Sequence, residues 1–140
     1  MPASTTLALG ASDFIQLTTF RRTGEGVPTP VWVVPDGDAL AVFTPAGTGK
    51  LKRIRHTPRV TVAECSRRGR VDDDVVPVEA YATATGEPAE VDRVTRLLAG
   101  KYGLQFKIAM LAERVFARGE RRREVIHIRP APLAGEADEG

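Results

Sequence analysis

Two prolines at alternate positions, Pro28 and Pro30, restrict how residues 27–34 (VPTPVWVV) can take part in a sheet. The segment is rich in β-branched residues, which favour a strand, but proline has no backbone N–H to donate to a neighbouring strand. Such a strand must therefore lie at the edge of a sheet or be interrupted. Because side chains alternate along a strand, both prolines fall on one face and leave Thr29 and Val31 on the other.

Short strands and three helices are predicted along the chain. The strands are predicted at residues 13–22, 27–34, 39–44, Arg59–Glu64, 75–85 and 124–128. The helices are predicted at Gly49–His56, Pro88–Tyr102 and 104–118. This order predicts a mainly β fold with flanking helices, an antiparallel barrel with Trp32 in its core. Periodicity alone does not separate a Greek-key barrel from an open sheet.

The length and composition predict one globular domain. The chain has 140 residues, and we place the domain at 13–129, between a flexible arm at 1–12 and a mobile acidic tail at 130–140. No apolar run approaches the ~20 residues that span a bilayer, and residues 1–12 lack the pattern of a secretory signal. The single cysteine, Cys65, allows no intrachain disulfide, as is usual in a reducing compartment. We therefore expect a cytoplasmic protein without membrane contact.

The segment from residue 43 to residue 58 (FTPAGTGKLKRIRHTP) joins a glycine-containing turn to the start of a basic helix. A helix N-terminus carries partial positive charge and normally attracts acidic residues, but here Lys50, Lys52 and Arg53 lie in the first turns. A bound anion would remove this conflict. Backbone N–H groups of the turn, the hydroxyl of Thr48 as the helix cap and two basic side chains would then form a phosphate cradle.

Other interpretations of the charged and ligand-type residues remain open or are disfavoured. The basic helix could simply face solvent, with Arg55 and His56 complementing its own C-terminus. No acidic residues cluster with the two histidines, His56 and His127, so no metal site is expected. The three aspartates at residues 72–74 are interpreted as charged side chains exposed to solvent. Aromatic residues make up only 6% of the chain and are not interleaved with the basic run, which argues against nucleic acid.

Three stretches resemble a known family: TFRRTGEGVPTPVWVV, LAVFTPAGTGKLKRIRHTPRVTVAECSRRGR and YATATGEPAEVDRVTRLLAGKYG. Together they resemble the pyridoxamine 5'-phosphate oxidase-like split-barrel superfamily over about residues 13–129. More narrowly, they look like its actinobacterial branch that uses the deazaflavin coenzyme F420. The resemblance implies a six- to seven-stranded antiparallel split β-barrel, the FMN-binding split barrel with Greek-key topology. It also implies a homodimer with cofactor sites at the subunit interface.

The resemblance further implies where a cofactor would lie. The ring system would lie along the second strand, beside Thr29, Pro30 and Val31. The cofactor phosphate would meet the turn and helix start, at the positions that match Thr44, Thr48, Gly49, Lys50 and Arg53. Arg21, Lys52, Arg55 and the late arginines could contact the acidic oligoglutamate tail of a deazaflavin. Classical pyridoxamine phosphate oxidases hold their substrate phosphate with late arginine and histidine residues that have no convincing match here, so that activity is not expected.

The activity implied by the resemblance is an oxidoreductase that uses reduced F420 to transfer hydride to an electron-poor double bond of a small molecule. The protein would supply orientation and electrostatics, and the sequence contains no acid/base constellation, so no catalytic side chain is assigned. Water or the hydroxyl of Thr29 could supply the proton. One alternative is an FMN-dependent oxidoreductase of the same fold, and another is a non-catalytic cofactor-binding or storage protein.

Overall fold

The computed structural model describes residues 6–117 and 122–131, with side chains for residues 6–111 and 122–131. The strands are β1 (Ile15–Phe20), β2 (Gly26–Val31), β3 (Val34–Asp36), β4 (Ala39–Pro45), β5 (Arg59–Glu64), β6 (Val78–Thr85) and β7 (Arg123–Pro130). The helices are α1 (Gly49–His56), α2 (Pro88–Tyr102) and α3 (Leu104–Ala117), and a 3-10 turn (Leu9–Ala11) precedes β1. Most of the predicted tail at 130–140 and the first five residues of the predicted arm lie outside the described residues. Within the described ranges, no helix is long and apolar enough to cross a membrane.

The strands form one seven-stranded sheet in the order β2-β1-β5-β6-β7-β4-β3, and every neighbouring pair is antiparallel. The two edge strands, β2 and β3, are separated only by Trp32 and Val33. The sheet therefore curls until its two edges are joined by one bend of the chain, as in a split barrel. The prediction that the proline-containing strand is an edge or is interrupted is confirmed on both counts.

The bend at Trp32 and Val33 is stabilised by the end of α2. The N–H of Val33 donates to the Tyr102 hydroxyl oxygen at 3.1 Å, and that hydroxyl lies 2.7 Å from the carbonyl oxygen of Asp13. The Trp32 ring stacks on the Tyr102 ring, with centroids 4.7 Å apart. Trp32 is half-buried against the cluster under α2 and α3, so its predicted place in the core is confirmed in part.

Lys101, next to Tyr102, joins the same bend to the N-terminal segment. Its Nζ donates to three backbone carbonyl oxygens, at 2.8 Å to Gly10, 2.6 Å to Ser12 and 2.6 Å to Val33. An ammonium group has three N–H bonds, so this arrangement uses its whole donor capacity. Lys101 thereby satisfies carbonyl groups that no strand pairing serves.

The sheet has apolar side chains on both faces, in two clusters. The inner cluster fills the barrel and includes two residues of α1, Leu51 and Ile54. The outer cluster lies where α2 and α3 cover β3, β4 and β7. The outer face of β5 and β6 instead carries exposed side chains, with Tyr81 41% exposed beside Arg59 and Glu79. One part of the outer surface is therefore packed by helices, while the other presents a sheet face.

Candidate functional site

The start of α1 lies directly after β4, as the sequence predicts. The turn between them contains Gly47 with a φ of 80°, a conformation that favours glycine. Leu51 and Ile54 are buried in the barrel, which fixes the orientation of the helix. The first turn of α1 contains no acidic residue, so its N-terminal amides are not offset by a carboxylate of their own helix.

Lys50 is half-buried beside the end of β4. Its Nζ donates to the Thr44 hydroxyl at 3.1 Å, and Thr44 is only 2% exposed. Burial lowers the pKa of Lys50, and repulsion from the nearby charge of Arg53 lowers it further. Both effects reflect a cation that would be stabilised by a negatively charged neighbour.

Arg53 lies one turn further along α1 and contacts β1. Its Nε donates to the Thr19 hydroxyl at 2.7 Å, and Thr19 is 1% exposed. Burial lowers the pKa of Arg53, and repulsion from Arg21 adds to this effect. Within the described residues, neither Lys50 nor Arg53 has a carboxylate at salt-bridge distance, whereas Arg21 pairs with Glu25 at 2.9 Å.

Thr48 does not cap α1 with its side chain, so that prediction is wrong. The residue has the extended backbone of an N-cap, but its hydroxyl accepts no backbone N–H. Instead, Thr48 Oγ1 is buried, and among the buried polar side-chain atoms in the described part of the chain it is the one that lacks a hydrogen-bond partner. A buried hydroxyl without a partner carries a desolvation cost. Together with two cations that lack carboxylates, it fits the binding of a phosphate at this corner.

We expect Thr48→Val to stabilise the protein and at the same time weaken phosphate binding. Valine keeps the shape of threonine but removes the buried hydroxyl, so the free energy of unfolding should rise by about 1 kcal/mol. Phosphate loses a donor, so its affinity should fall several-fold. Urea unfolding and phosphate titration measure the two effects. Thr44→Val serves as the contrast because its hydroxyl is already bonded to Lys50, and it should destabilise the protein. A loss of stability in Thr48→Val would show that the hydroxyl has a partner.

The face of β2 that adjoins this corner carries Thr29 and Val31. The register pairs Leu17 with Thr29 and Ile15 with Val31, and both partners point into the barrel. Thr29 and Val31 are half-buried on that inner face. Pro30 points to the opposite face and is exposed, so only its backbone can contribute to a site inside the barrel.

The predicted site residues therefore fall into two groups, one at the start of α1 and one on β2, and the β2 residue that pairs with Thr19 of the corner is Val27. Five lie at the start of α1 and the end of β4, namely Thr44, Thr48, Gly49, Lys50 and Arg53. Thr19 was missed by the sequence reasoning. Its signal was a polar residue at the third inward position of β1, after Ile15 and Leu17, where an apolar side chain is expected.

Of the other basic residues considered for this site, Arg21 and Arg55 pair with carboxylates, whereas Lys52 is exposed to solvent. Arg55 donates to Glu124 of β7 and is thereby neutralised. Arg59 lies over the Phe20 ring, 4.4 Å from its centroid, on the outer face of the sheet. The helix is therefore basic at both ends, but only its C-terminal end carries a carboxylate partner within the described residues.

Two grooves of the described residues lie away from this corner. One of about 520 Å³ lies between α2 and α3 and is mainly apolar, with Ala99, Phe106 and Met110 in its wall. Another of about 830 Å³ extends from Ala46 to the start of α2. Neither of these two grooves includes Lys50 or Arg53.

His127 belongs to a charged cluster, so the expectation that no acidic residues surround the histidines is wrong. Arg93 binds both oxygens of Asp36 at 2.7 Å and also binds Glu90, while His127 Nε2 lies 3.1 Å from Asp36 Oδ2. These residues come from β3, α2 and β7, and only the fold brings them together. Because Arg93 already neutralises the carboxylates, the cluster acts as an ion-pair network that fixes α2 on the sheet.

This network should make the protein sensitive to acid. The hydrogen bonds from Arg93 lower the pKa of Asp36. A lowered folded pKa means that the stabilisation is complete above the unfolded pKa and is lost as the pH falls through the folded one. We expect the free energy of unfolding of the wild-type protein to decline below about pH 4. The Asp36→Asn variant should be less stable by about 2 kcal/mol at neutral pH, and its stability should depend less on pH in the acid range. Asp38→Asn, at a site 85% exposed, is the control for urea unfolding across pH. An unchanged acid limb in Asp36→Asn would contradict this role.

Strand order and closure through the β2–β3 bend define the class of this protein as an antiparallel split barrel. Residues 5–134 match the family model described as Pyridoxamine 5'-phosphate oxidase, so the chain belongs to that family. Rv2991 from Mycobacterium tuberculosis is 18% identical, with a TM-score of 0.66 over 94% of this chain and 81% of its own. The heme storage protein HutZ from Vibrio cholerae is 11% identical, with a TM-score of 0.63 over 95% and 93%.

A structure described as an F420 reductase is 17% identical, with a TM-score of 0.58 over 94% of this chain and 95% of that one. At these identities the likeness shows the fold alone. A search of curated proteins finds no match. The family includes oxidoreductases and proteins that bind flavin-like cofactors, and the predicted resemblance to it is confirmed.

Proposed function

We propose that this protein is an oxidoreductase that binds reduced coenzyme F420 with its phosphate at the start of α1. The observation that carries the proposal is the corner itself, where Lys50 and Arg53 lack carboxylate partners among the described residues and Thr48 has an unpaired buried hydroxyl. When bound, the cofactor supplies a hydride for an electron-poor double bond of a small molecule.

The residues of the corner have separate tasks in this proposal. Lys50 and Arg53 offset the charge of the phosphate, and the hydroxyl of Thr48 and the amides of the first turn donate to its oxygens. The inner face of β2, with Thr29 and Val31, orients the ring. Leu51 and Ile54 anchor α1 in the core, so the donors are held in place before the phosphate arrives. We assign no acid or base among the side chains, and the proton comes from water or from the hydroxyl of Thr29.

The choice of F420 over FMN is supported by the TPVW and GKxKRIR motifs and by the likeness to an F420 reductase. FMN in the same corner is the first alternative, because its phosphate has the same chemistry. The second is storage of a cofactor without catalysis, which is what the name of HutZ describes for heme. The reducing cytoplasm remains the compartment we propose, given the single cysteine.

Titration of the purified protein with F420 and with FMN, followed by ring fluorescence, tests the assignment. We expect saturable binding of F420, tighter than that of FMN, and competition by inorganic phosphate because the corner is built for that group. A wide preference for FMN would overturn the choice of cofactor. Binding of F420 without transfer of its hydride to any of a panel of unsaturated acceptors would favour the storage alternative.

We also propose that the protein is a homodimer whose interface completes the site. The support is the exposed sheet face around Tyr81, on the part of the outer surface that the helices leave uncovered. Tyr81→Glu should dissociate the dimer in sedimentation and weaken F420 binding, while the new carboxylate is tolerated beside Arg59 and Arg129, its register neighbours. Leu104→Glu, on a residue of α3 that is 71% exposed, is the matched control. A wild-type monomer, or a dimer that only the control disrupts, would contradict this interface.

A further inference from the structure

Lys50 and Lys52 are two lysines of the same helix in different surroundings. Lys52 is exposed to solvent. Lys50 is half-buried, its Nζ contacts the Thr44 hydroxyl at 3.1 Å, and burial and the charge of Arg53 lower its pKa. A lysine amine is a nucleophile only when it is neutral, and burial beside another cation increases the neutral share. Lys50 is therefore the better candidate for a nucleophile, and Lys52, two positions away, is an internal reference.

The same corner would hold a phosphate group next to this amine. The unpaired hydroxyl of Thr48 and the first amides of α1 belong to the turn that contains Lys50. The guanidinium of Arg53 lies over Gly49, and its charge lowers the pKa of Lys50, so it is also close to this amine. A reagent that carries a reactive carbonyl on a phosphate would therefore be bound with its carbonyl close to Nζ. Such positioning raises the effective concentration of the two reacting groups.

We propose that Lys50 is a site of selective acylation by acyl phosphates, a modification that would prevent the cofactor phosphate from binding. The inference rests on the proposed anion site, but not on which cofactor occupies it. In the reaction, the lone pair of the neutral amine attacks the carbonyl carbon. The bond between that carbon and the phosphate oxygen breaks, inorganic phosphate leaves with the electron pair, and the amine gives one proton to water. No oxidant or reductant is required.

The product would act as an off-switch for the site. An acyl-lysine has no positive charge and is longer than lysine, so it neither offsets the phosphate charge nor fits beside Thr44. Arg53 would be left as the single cation of α1's first turns that faces the phosphate. A bound cofactor would in turn shield Lys50, which makes the modification specific for the empty form of the protein.

The test is acetylation of the purified protein by acetyl phosphate, followed by peptide mass spectrometry over time. We expect Lys50 to be acetylated about tenfold faster than Lys52, because the reagent is held beside it. Inorganic phosphate should slow the reaction at Lys50 and leave Lys52 unaffected. The N-hydroxysuccinimide ester of acetate, which has no phosphate, should show a smaller preference for Lys50. Equal rates at the two lysines, no protection by phosphate, or the same preference with both reagents would each overturn the proposal.

Thr48→Val provides a second measurement that does not depend on removing a charge. It should lower the rate at Lys50 with acetyl phosphate and leave the rate with the ester unchanged, and an unchanged acetyl phosphate rate would contradict the cradle. The outcome separates this inference from the proposed function. Selective, phosphate-protected acetylation without F420 or FMN binding would reject the cofactor assignment alone. Cofactor binding with equal lysine rates would reject the acylation site alone.

Discussion

Lys101→Met is expected to lower the free energy of unfolding by about 3 kcal/mol, the largest loss of stability we foresee for a single polar residue. The side chain of Met keeps a similar length but donates nothing. It leaves the carbonyl oxygens of Gly10, Ser12 and Val33 without the donor they share. Each of these bonds involves a charged donor, which is the stronger class of hydrogen bond. The thermal midpoint should fall by roughly 10 °C.

The matched control for this experiment is Lys107→Met, the same substitution at an exposed lysine of α3. It should change stability by less than about 0.5 kcal/mol, as is usual for exposed positions. Urea and thermal unfolding of both variants measure the difference. A loss in Lys101→Met no larger than in the control would mean that water replaces the ammonium group without cost, and that the bend does not depend on it.

Lys50→Ala is expected to weaken binding of the anionic cofactor by about 1–3 kcal/mol, or roughly 5- to 150-fold, through loss of a charge-assisted hydrogen bond. The stability of the free protein should fall by no more than about 1 kcal/mol, because the buried Thr44 hydroxyl loses its partner while the repulsion between Lys50 and Arg53 is removed. An effect on binding that exceeds the effect on folding is the signature of a residue placed for a ligand.

Lys52→Ala is the control because it removes the same charge from the same helix, at a position open to solvent. With FMN, which has no oligoglutamate tail for Lys52 to contact, it should weaken binding less than threefold, as a screened surface charge does at ordinary salt. Fluorescence titration with F420 and with FMN gives both affinities. Equal losses in the two variants would reduce the site to general electrostatic attraction. An unchanged affinity in Lys50→Ala would remove Lys50 from the site.

Local sequence was sufficient for the elements whose boundaries depend on neighbouring residues. The prediction of α1 is confirmed because Leu51 and Ile54 give it a buried side and Pro58 prevents its continuation. The bend that divides the strand predicted at 27–34 into β2 and β3 could not be predicted from neighbouring residues. That bend depends on Lys101 and Tyr102, which lie about seventy residues further along the chain and reach it only after α2 has packed on the sheet.

The same distinction holds for the candidate site. The conflict between a helix N-terminus and its basic residues is a local property, and it pointed to Lys50, Lys52 and Arg53 together. The choice of Lys50 and Arg53 among them came from the family resemblance. Thr19 comes from another strand and is joined to Arg53 only by the fold. The Thr48 cap was predicted from a statistical preference of helix starts, and the side chain instead remains unpaired. The cluster around Asp36 and His127 joins residues 91 positions apart, which no local pattern reveals.

The proline-containing edge strand β2 also affects the tendency of this protein to aggregate by intermolecular strand pairing. Val27, Thr29 and Val31 direct their N–H groups toward β1, because Pro28 and Pro30 have none to offer in alternate positions. The outward side of β2 therefore presents carbonyl oxygens at both prolines and no donor between them. An extended segment from another molecule needs both donors and acceptors to pair with an edge strand, so intermolecular strand pairing is disfavoured at β2. The barrel can thus leave this edge of its sheet exposed without becoming a template for aggregation.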